Sequence, residues 1–253
     1  MKISLVQYSP KWEDKNSNMI KIRKILSQQS ELGDLVIFPE MTLTGFTMNT
    51  IVMSEKLKGE SFIFFSEIAN RNSTNVFAGM IEQKGKNYLN TLIHCDAEGK
   101  LKKNYHKLHP FSFSGEDKFY NKGEELVVTK VEGWKIGLSI CYDLRFPELF
   151  RLYAKMGVEL IINIANWPDT RIEHWRTLLK ARAIENQCYV AGVNRVGKDL
   201  KLNYKGYSSL FDPMGKEVVS KKDKETILTA DIDKNYVVEV RKRLPFLNDI
   251  RLI

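Results

Sequence analysis

A series of short apolar runs, rich in β-branched residues, recurs along the whole chain and limits what it can fold into. The runs cover residues 3–8, 35–38, 76–81, 89–95, 126–131, 135–140, 160–165, 188–193, 206–211 and 227–232. Each has the length of a strand and is short for a buried helix. Several are apolar at nearly every position, where a half-exposed strand would alternate with polar residues. Strands of that kind need cover on both faces, so the fold must be layered.

Amphipathic stretches lie between the runs. Met19, Ile22 and Leu26 share one helical face among Lys, Arg and Gln. A second stretch covers residues 61–70, and a third, 147–156, opens on Pro147, which suits a first helical turn. Thr170 and Glu173 have the spacing of a capping box ahead of the face Ile172, Trp175, Leu179 and Ala183. A weaker helix is expected over 234–243. Alternating strands and helices predict an α/β layered protein. The close pairs 76–81 with 89–95 and 126–131 with 135–140 read as hairpins, so the sheets should be mixed. With no linker, repeat or low-complexity tract, one domain over 1–253 is the simplest organisation.

Composition narrows the function classes. A chain of 253 residues, 43% hydrophobic and 28% charged, can bury a substantial core and stay soluble. The net charge of +8 is spread over small clusters at Lys100, Lys102 and Lys103, at Lys221, Lys222 and Lys224, and at Arg241, Lys242 and Arg243. No Gly-rich loop, zinc-finger spacing or base-reading basic helix accompanies them, so they read as a solvated surface and not as a nucleic-acid site. No apolar run reaches the roughly 18 residues that a membrane span needs. Met1-Lys2-Ile3-Ser4-Leu5-Val6-Gln7 reads as the start of a strand and not as a signal peptide. The three cysteines, Cys95, Cys141 and Cys188, are too few and odd in number for a disulfide framework. Reduced thiols and a cytoplasmic location are expected.

Cys141 closes the run 135–140 and begins Cys141-Tyr142-Asp143-Leu144-Arg145-Phe146-Pro147-Glu148. Ligands gather beyond the carboxyl ends of strands in layered α/β proteins, so a thiol there is well placed for catalysis. The bland alternative is a small buried hydrophobe, and Cys95 and Cys188, inside apolar runs, are read that way. A nucleophilic thiol needs a proton acceptor. Glu40 follows the apolar run 35–38 through Pro39. It is either an ordinary strand-end charge facing water or a desolvated carboxylate, and desolvation strengthens a carboxylate as a base. In Tyr105-His106-Lys107-Leu108-His109-Pro110-Phe111, Lys107 is either a surface lysine or a fixed ammonium able to stabilise an oxyanion. His106 and His109 lack the partner spacing of a metal site and read as packing groups or as groups that support the site residues from behind.

Taken together, Phe38-Pro39-Glu40, Tyr105 to Phe111 and Ser139-Ile140-Cys141-Tyr142-Asp143 resemble the three catalytic motifs of the nitrilase, or carbon-nitrogen hydrolase, superfamily, in its order and spacing. The segment from Cys141 to Leu149 is similar to its ω-amidase-like branch. Gly115-Glu116 resembles the site of a fourth polar residue, Asn166-Trp167-Pro168 a substrate-side segment, residues 180–186 the following helix and Asp212-Pro213-Met214-Gly215 a late hairpin turn. The likeness runs from about residue 2 to 233.

The resemblance implies a four-layer αββα sandwich with Glu40, Lys107 and Cys141 at one end, Glu116 beside Lys107, and Tyr142, Arg145, Asn166, Trp167 and Phe111 around the substrate. It implies hydrolysis of a small aliphatic ω-amide, of the 2-oxoglutaramate or succinamate kind, through a Cys141 thioester, with no metal or organic cofactor, by a homodimer or higher oligomer; a nitrilase or N-carbamoyl hydrolase on the same triad, or a non-catalytic binding protein that keeps the fold, are the alternatives. Arg145 suits a substrate carboxylate or an ion pair with Asp143 or Glu148. Phe111, Phe113 and Trp167 suit a pocket wall or the core. The helical face of Trp175 suits a subunit contact or packing within the monomer.

Overall fold

The runs that are apolar on both faces form two sheets packed against each other, in a computed structural model that describes residues 1–252. The first sheet holds β1 (Lys2–Gln7), β2 (Leu35–Ile37), β3 (Asn75–Lys84), β4 (Asn87–Cys95), β5 (Leu101–His106) and β13 (Thr226–Asp231), ordered β13-β1-β2-β3-β4-β5. The second holds β6 (Val128–Val131), β7 (Trp134–Ile140), β8 (Leu160–Ala165), β9 (Tyr189–Asn194), β10 (Val196–Lys198), β11 (Asn203–Phe211) and β12 (Glu217–Lys222), ordered β10-β11-β9-β8-β7-β6 with β12 beside β11. Both sheets are mixed. β1, β2 and β3 run parallel, as do β7, β8 and β9, while β3 with β4 and β6 with β7 are the expected antiparallel hairpins.

The period-2 geometry of a strand explains why the runs are apolar throughout. Ile3, Leu5, Leu35 and Ile37 point into the space between the sheets, where they meet Ile136, Leu138, Ile140, Ile162 and Ile164. Their neighbours Val6, Val36 and Phe38 face outward and are covered by Ile22 and Leu26 of α1 (Lys15–Leu26) and by Phe64, Phe65 and Ile68 of α3 (Glu60–Asn72). On the other side, Ile161 and Val190 lie under Leu149, Phe150 and Tyr153 of α4 (Pro147–Lys155) and Trp175, Leu179 and Ala183 of α5 (Ile172–Asn186). The result is the expected αββα order. Each fully buried side chain of this size contributes roughly 1.5–3 kcal/mol before its entropy cost.

Two expectations at α5 are decided by packing. The Trp175 face is used inside the monomer. Trp175 is fully buried, its Nε1–H donates to the Tyr207 carbonyl at 2.8 Å, and Gly192 of β9 leaves room for it, since a Cβ there would lie 2.8 Å from the Trp175 ring and 2.4 Å from Leu179. The capping box of Thr170 and Glu173 does not form. A 3-10 turn over Asp169–Arg171 precedes the helix, Arg171 is the cap without a side-chain bond, and Glu173 faces Arg176 at 3.6 Å. The reason is tertiary: Trp167 Nε1–H holds the Arg171 carbonyl at 2.8 Å and draws the helix entry towards the strand ends. The chain also forms α2 (Thr50–Met53), β5, β10 and β12, which its sequence pattern does not announce, whereas α6 (Lys234–Arg243) lies where expected. Arg241, one of the basic cluster, is not a free surface charge, because its guanidinium donates to the carbonyls of Gln187 and Val158.

Candidate active site

Pro39 cannot continue the hydrogen-bond ladder, so the chain leaves β2 and turns at Glu40, with Met41 in the left-handed region at φ 45°. Strand β3 seats this turn. Thr42 N–H donates to the Gly79 carbonyl at 2.9 Å, and Gly79 N–H donates to Thr42 Oγ1 at 3.1 Å. A Cβ on Gly79 would lie 2.4 Å from the Met41 nitrogen and 2.8 Å from Glu40 Cα. Gly79→Ala is therefore expected to displace Glu40, costing about 1–3 kcal/mol of stability together with a loss of turnover. Denaturant unfolding and ammonia release measure the two effects, and unchanged turnover would mean that the turn shifts harmlessly.

Glu40 is completely buried and sits in a network of charges and amides. Lys107, at the end of β5, donates from Nζ to Glu40 Oε1 at 2.9 Å and to Glu116 Oε2 and Oε1 at 2.8 and 3.1 Å. Asn90 Nδ2 bridges Glu40 Oε1 at 2.7 Å and Glu116 Oε1 at 3.0 Å, and the backbone N–H of Asn166 donates to Glu40 Oε2 at 2.9 Å. Glu116 Oε2 also accepts from the Phe111 N–H at 2.5 Å. Burial opposes the ammonium charge of Lys107, but Glu116 and Glu40 together outweigh it and hold the group well above its ordinary value. Lys107 is a fixed cation.

Cys141 follows β7 with φ 47°, in the left-handed region that costs a non-glycine residue energy. Asp143 pins the 3-10 turn Cys141–Arg145 that it opens. That buried carboxylate accepts from Ile140 N–H at 2.9 Å, Tyr105 OH at 2.7 Å, His109 N–H at 3.0 Å and His109 Nδ1 at 2.8 Å. It thus ties the cysteine turn to the segment that carries Lys107. From the helix side, Arg182 donates to the Leu144 carbonyl at 2.7 Å. The Cys141 side chain is half-buried. Burial and the Glu40 carboxylate push its thiol well up, only partly offset by Lys107, so the resting thiol keeps its proton at neutral pH. Cys95 and Cys188 are fully buried, the latter one residue before β9, and burial pushes each up to about 12.

A narrow cleft of about 60 Å³ opens on the cysteine. Lys107 and Cys141 line it together with Phe111, Tyr142, Arg145, Asn166 and Trp167, so all the expected substrate-side residues meet there. Phe113 does not, being 85% exposed. Arg145 forms no ion pair with Asp143 or Glu148; its guanidinium lies 4.8 Å from the Trp167 ring centre and donates to His174 Nδ1 at 3.2 Å. His106 pairs with Glu82, while His109 stacks on Phe146 and supports the cysteine turn through Asp143. Among the described residues, no cluster of His, Cys, Asp or Glu could hold a metal ion. A wider groove of about 740 Å³ beside His106 contains no cysteine, serine or threonine. Sequence patterns miss Asn90, Asp143 as a brace, and Phe46, Arg171, Leu202 and Tyr204 in the cleft. Only Asn90 leaves a trace, in the polar pair Asn90-Thr91 that interrupts an apolar strand.

A thiol at a strand end, with a buried carboxylate and a fixed ammonium beside it, can exchange a proton, attack a carbonyl carbon and stabilise the oxygen that becomes charged. Fold and site together define a cysteine-type hydrolase built on a four-layer sandwich. The model of the carbon-nitrogen hydrolase family matches residues 2–242. The chain is 31% identical over 251 residues to the 2-oxoglutaramate amidase of Bacillus subtilis, covering 98% of this chain and 97% of that one. It is 32% identical over 253 residues to the omega-amidase YafV of Yersinia enterocolitica, with 98% and 96% covered. The crystal structure of XC1258 from Xanthomonas campestris, a CN-hydrolase superfamily protein, superposes with a TM-score of 0.96 at 33% identity, covering 100% of this chain and 98% of that one. The chain belongs to the carbon-nitrogen hydrolase family.

Proposed function

We propose that the protein hydrolyses the terminal amide of a small dicarboxylic acid monoamide, of the 2-oxoglutaramate or succinamate kind, to the diacid and ammonia. The observation that carries this reading is that Cys141 and Lys107 share one narrow cleft with Arg145, which has no carboxylate partner among the described residues. The names of the relatives, 2-oxoglutaramate amidase and omega-amidase, support the same substrate class.

In this mechanism Glu40 takes the thiol proton as Cys141 sulfur bonds to the amide carbon. The carbonyl oxygen gains the charge and is held by the Lys107 ammonium and the Tyr142 N–H, donors worth roughly 3–4 kcal/mol each. The tetrahedral adduct collapses, and the carbon-nitrogen bond breaks as Glu40 returns its proton to the departing ammonia. Glu40 then deprotonates a water that attacks the thioester, and the released thiolate takes the proton back. Glu116, which accepts two hydrogen bonds from Lys107, keeps the ammonium charged and aimed. Asn166 holds Glu40 through its backbone N–H and lines the cleft with Phe111 and Trp167.

Ammonia release from a panel tests the reading: succinamate and 2-oxoglutaramate are expected to turn over faster than any nitrile or N-carbamoyl acid of similar length. Nitrile or carbamoyl turnover in excess of the ω-amides would overturn it. We further expect a homodimer or larger assembly. Leu152 and Met156 of α4, Ile184 of α5 and Phe246 lie exposed on the outer helical layer and support pairing there. Sedimentation of the pure protein as a monomer would remove that expectation.

A further inference from the structure

We infer that Arg171 is a second carboxylate-binding residue, which closes on the substrate acid from the side opposite Arg145 and sets the direction in which the substrate lies. This deepens the ω-amide reading and rests on it.

Arg145 and Arg171 both line the cleft, both are half-exposed, and neither has a carboxylate within 4 Å among the described residues. Aromatic faces hold them. The Arg145 guanidinium lies 4.8 Å from the Trp167 ring centre and 6.0 Å from that of Tyr142, while Arg171 lies 5.5 Å from that of Phe111. Phe111 and Tyr142 are themselves 4.8 Å apart, so the rings form a continuous wall between the two cations. The main chain of Arg171 is anchored as well, because its carbonyl accepts the Trp167 Nε1–H at 2.8 Å. The two charges feel each other: burial lowers Arg145 from its ordinary value, and the charge of Arg171 lowers it further. Two guanidiniums held in one cleft with no acid between them form a site suited to an anion. Arg presents a planar fork, and two forks can take the two oxygens of one carboxylate.

The lining around Lys107 has the opposite character. Lys107 stands there against two carboxylates, Glu40 and Glu116, which leaves an excess of negative charge. An acid group presented there meets repulsion, while at the arginines it meets attraction. A molecule with an amide at one end and a carboxylate at the other therefore binds with its amide at Cys141. The site selects direction by repulsion as well as by attraction.

The test compares succinamate with butyramide, in which a methyl group replaces the carboxylate, on wild type, Arg171→Gln and Arg171→Lys. For Arg171→Gln the ratio of kcat/KM for succinamate over butyramide is expected to fall about 10- to 100-fold, the range for losing a hydrogen bond to a charged group. The loss should fall mainly in KM for succinamate. Arg171→Lys keeps the charge without the fork and should raise that KM by about 3- to 10-fold. This variant decides the matter if Arg171→Gln fails to fold. A ratio that stays at the wild-type value in the variants overturns the role of Arg171 and leaves the ω-amide reading standing. Equal losses on both amides overturn it too and assign Arg171 to packing alone. If wild type itself does not prefer succinamate, the ω-amide reading fails and the Arg171 role fails with it.

Discussion

Cys141→Ala is expected to lower amide turnover by on the order of 10⁴-fold or more while leaving the protein folded. The size of the effect follows from what the other groups can do alone. Lys107 and Glu40 can hold and polarise an amide, but without sulfur no covalent intermediate forms and the leaving amine must be expelled by water directly. The fold should tolerate the change because the thiol makes little of the structure around it. Asp143, not Cys141, ties β7 to the Lys107 segment, and Arg182 holds the turn at Leu144. Alanine also accepts the left-handed φ of 47° no worse than cysteine does. Ammonia release and a thermal melt measure the two halves. Substantial residual turnover at an unchanged melting temperature would move the nucleophile elsewhere.

Lys107→Met should be as damaging to activity and far more damaging to stability. The wild-type ammonium lies fully buried between Glu40 and Glu116, at 2.9 and 2.8 Å. Removing it leaves two buried carboxylates bridged only by Asn90 Nδ2. Breaking a buried pair in this way typically costs about 3–5 kcal/mol, because the partner charge stays behind without compensation. The double variant Lys107→Met with Glu116→Gln removes one of those stranded charges. It should recover part of the stability and none of the activity, a non-additive pattern expected of residues in contact. Denaturant midpoints for the single and double variants check this. A Lys107→Met protein as stable as wild type would mean that Glu40 and Glu116 do not need the cation to remain buried.

The chain also reads as a lesson in which signals are local. Buried strands announce themselves by runs such as 35–38 and 160–165, because both faces of each strand are covered and every second residue reports one layer. The layers then follow, since doubly apolar strands exist only between other elements. Helix faces such as Ile172, Trp175, Leu179 and Ala183 report by period. The capping box at Thr170 fails for an equally plain reason: a tryptophan three residues after a helix start cannot tell from sequence that it packs under β9, nor Trp167 that it will take the Arg171 carbonyl.

Glu40 and Cys141 were legible as candidates because each follows an apolar strand run, and strand ends are where α/β layers leave space for ligands; Lys107, with no strand read before it, stood out only through the resemblance. Their spacing matched a known order, which the family match then bore out for the chain as a whole. What the sequence determined by itself was therefore the buried apolar strands, the layering and the residue types able to do the chemistry. Tertiary structure alone decided the partners. Asn90 on β4 reaches Glu40 and Glu116, at sequence separations of 50 and 26. Asp143 is spent on Tyr105 and His109 and is not available to Arg145. Arg171 turns to the same cleft as Arg145. Each of these contacts joins residues on different elements, and the energy that selects them, charge neutralised or left unpaired inside a low-dielectric core, exists only once the layers have closed.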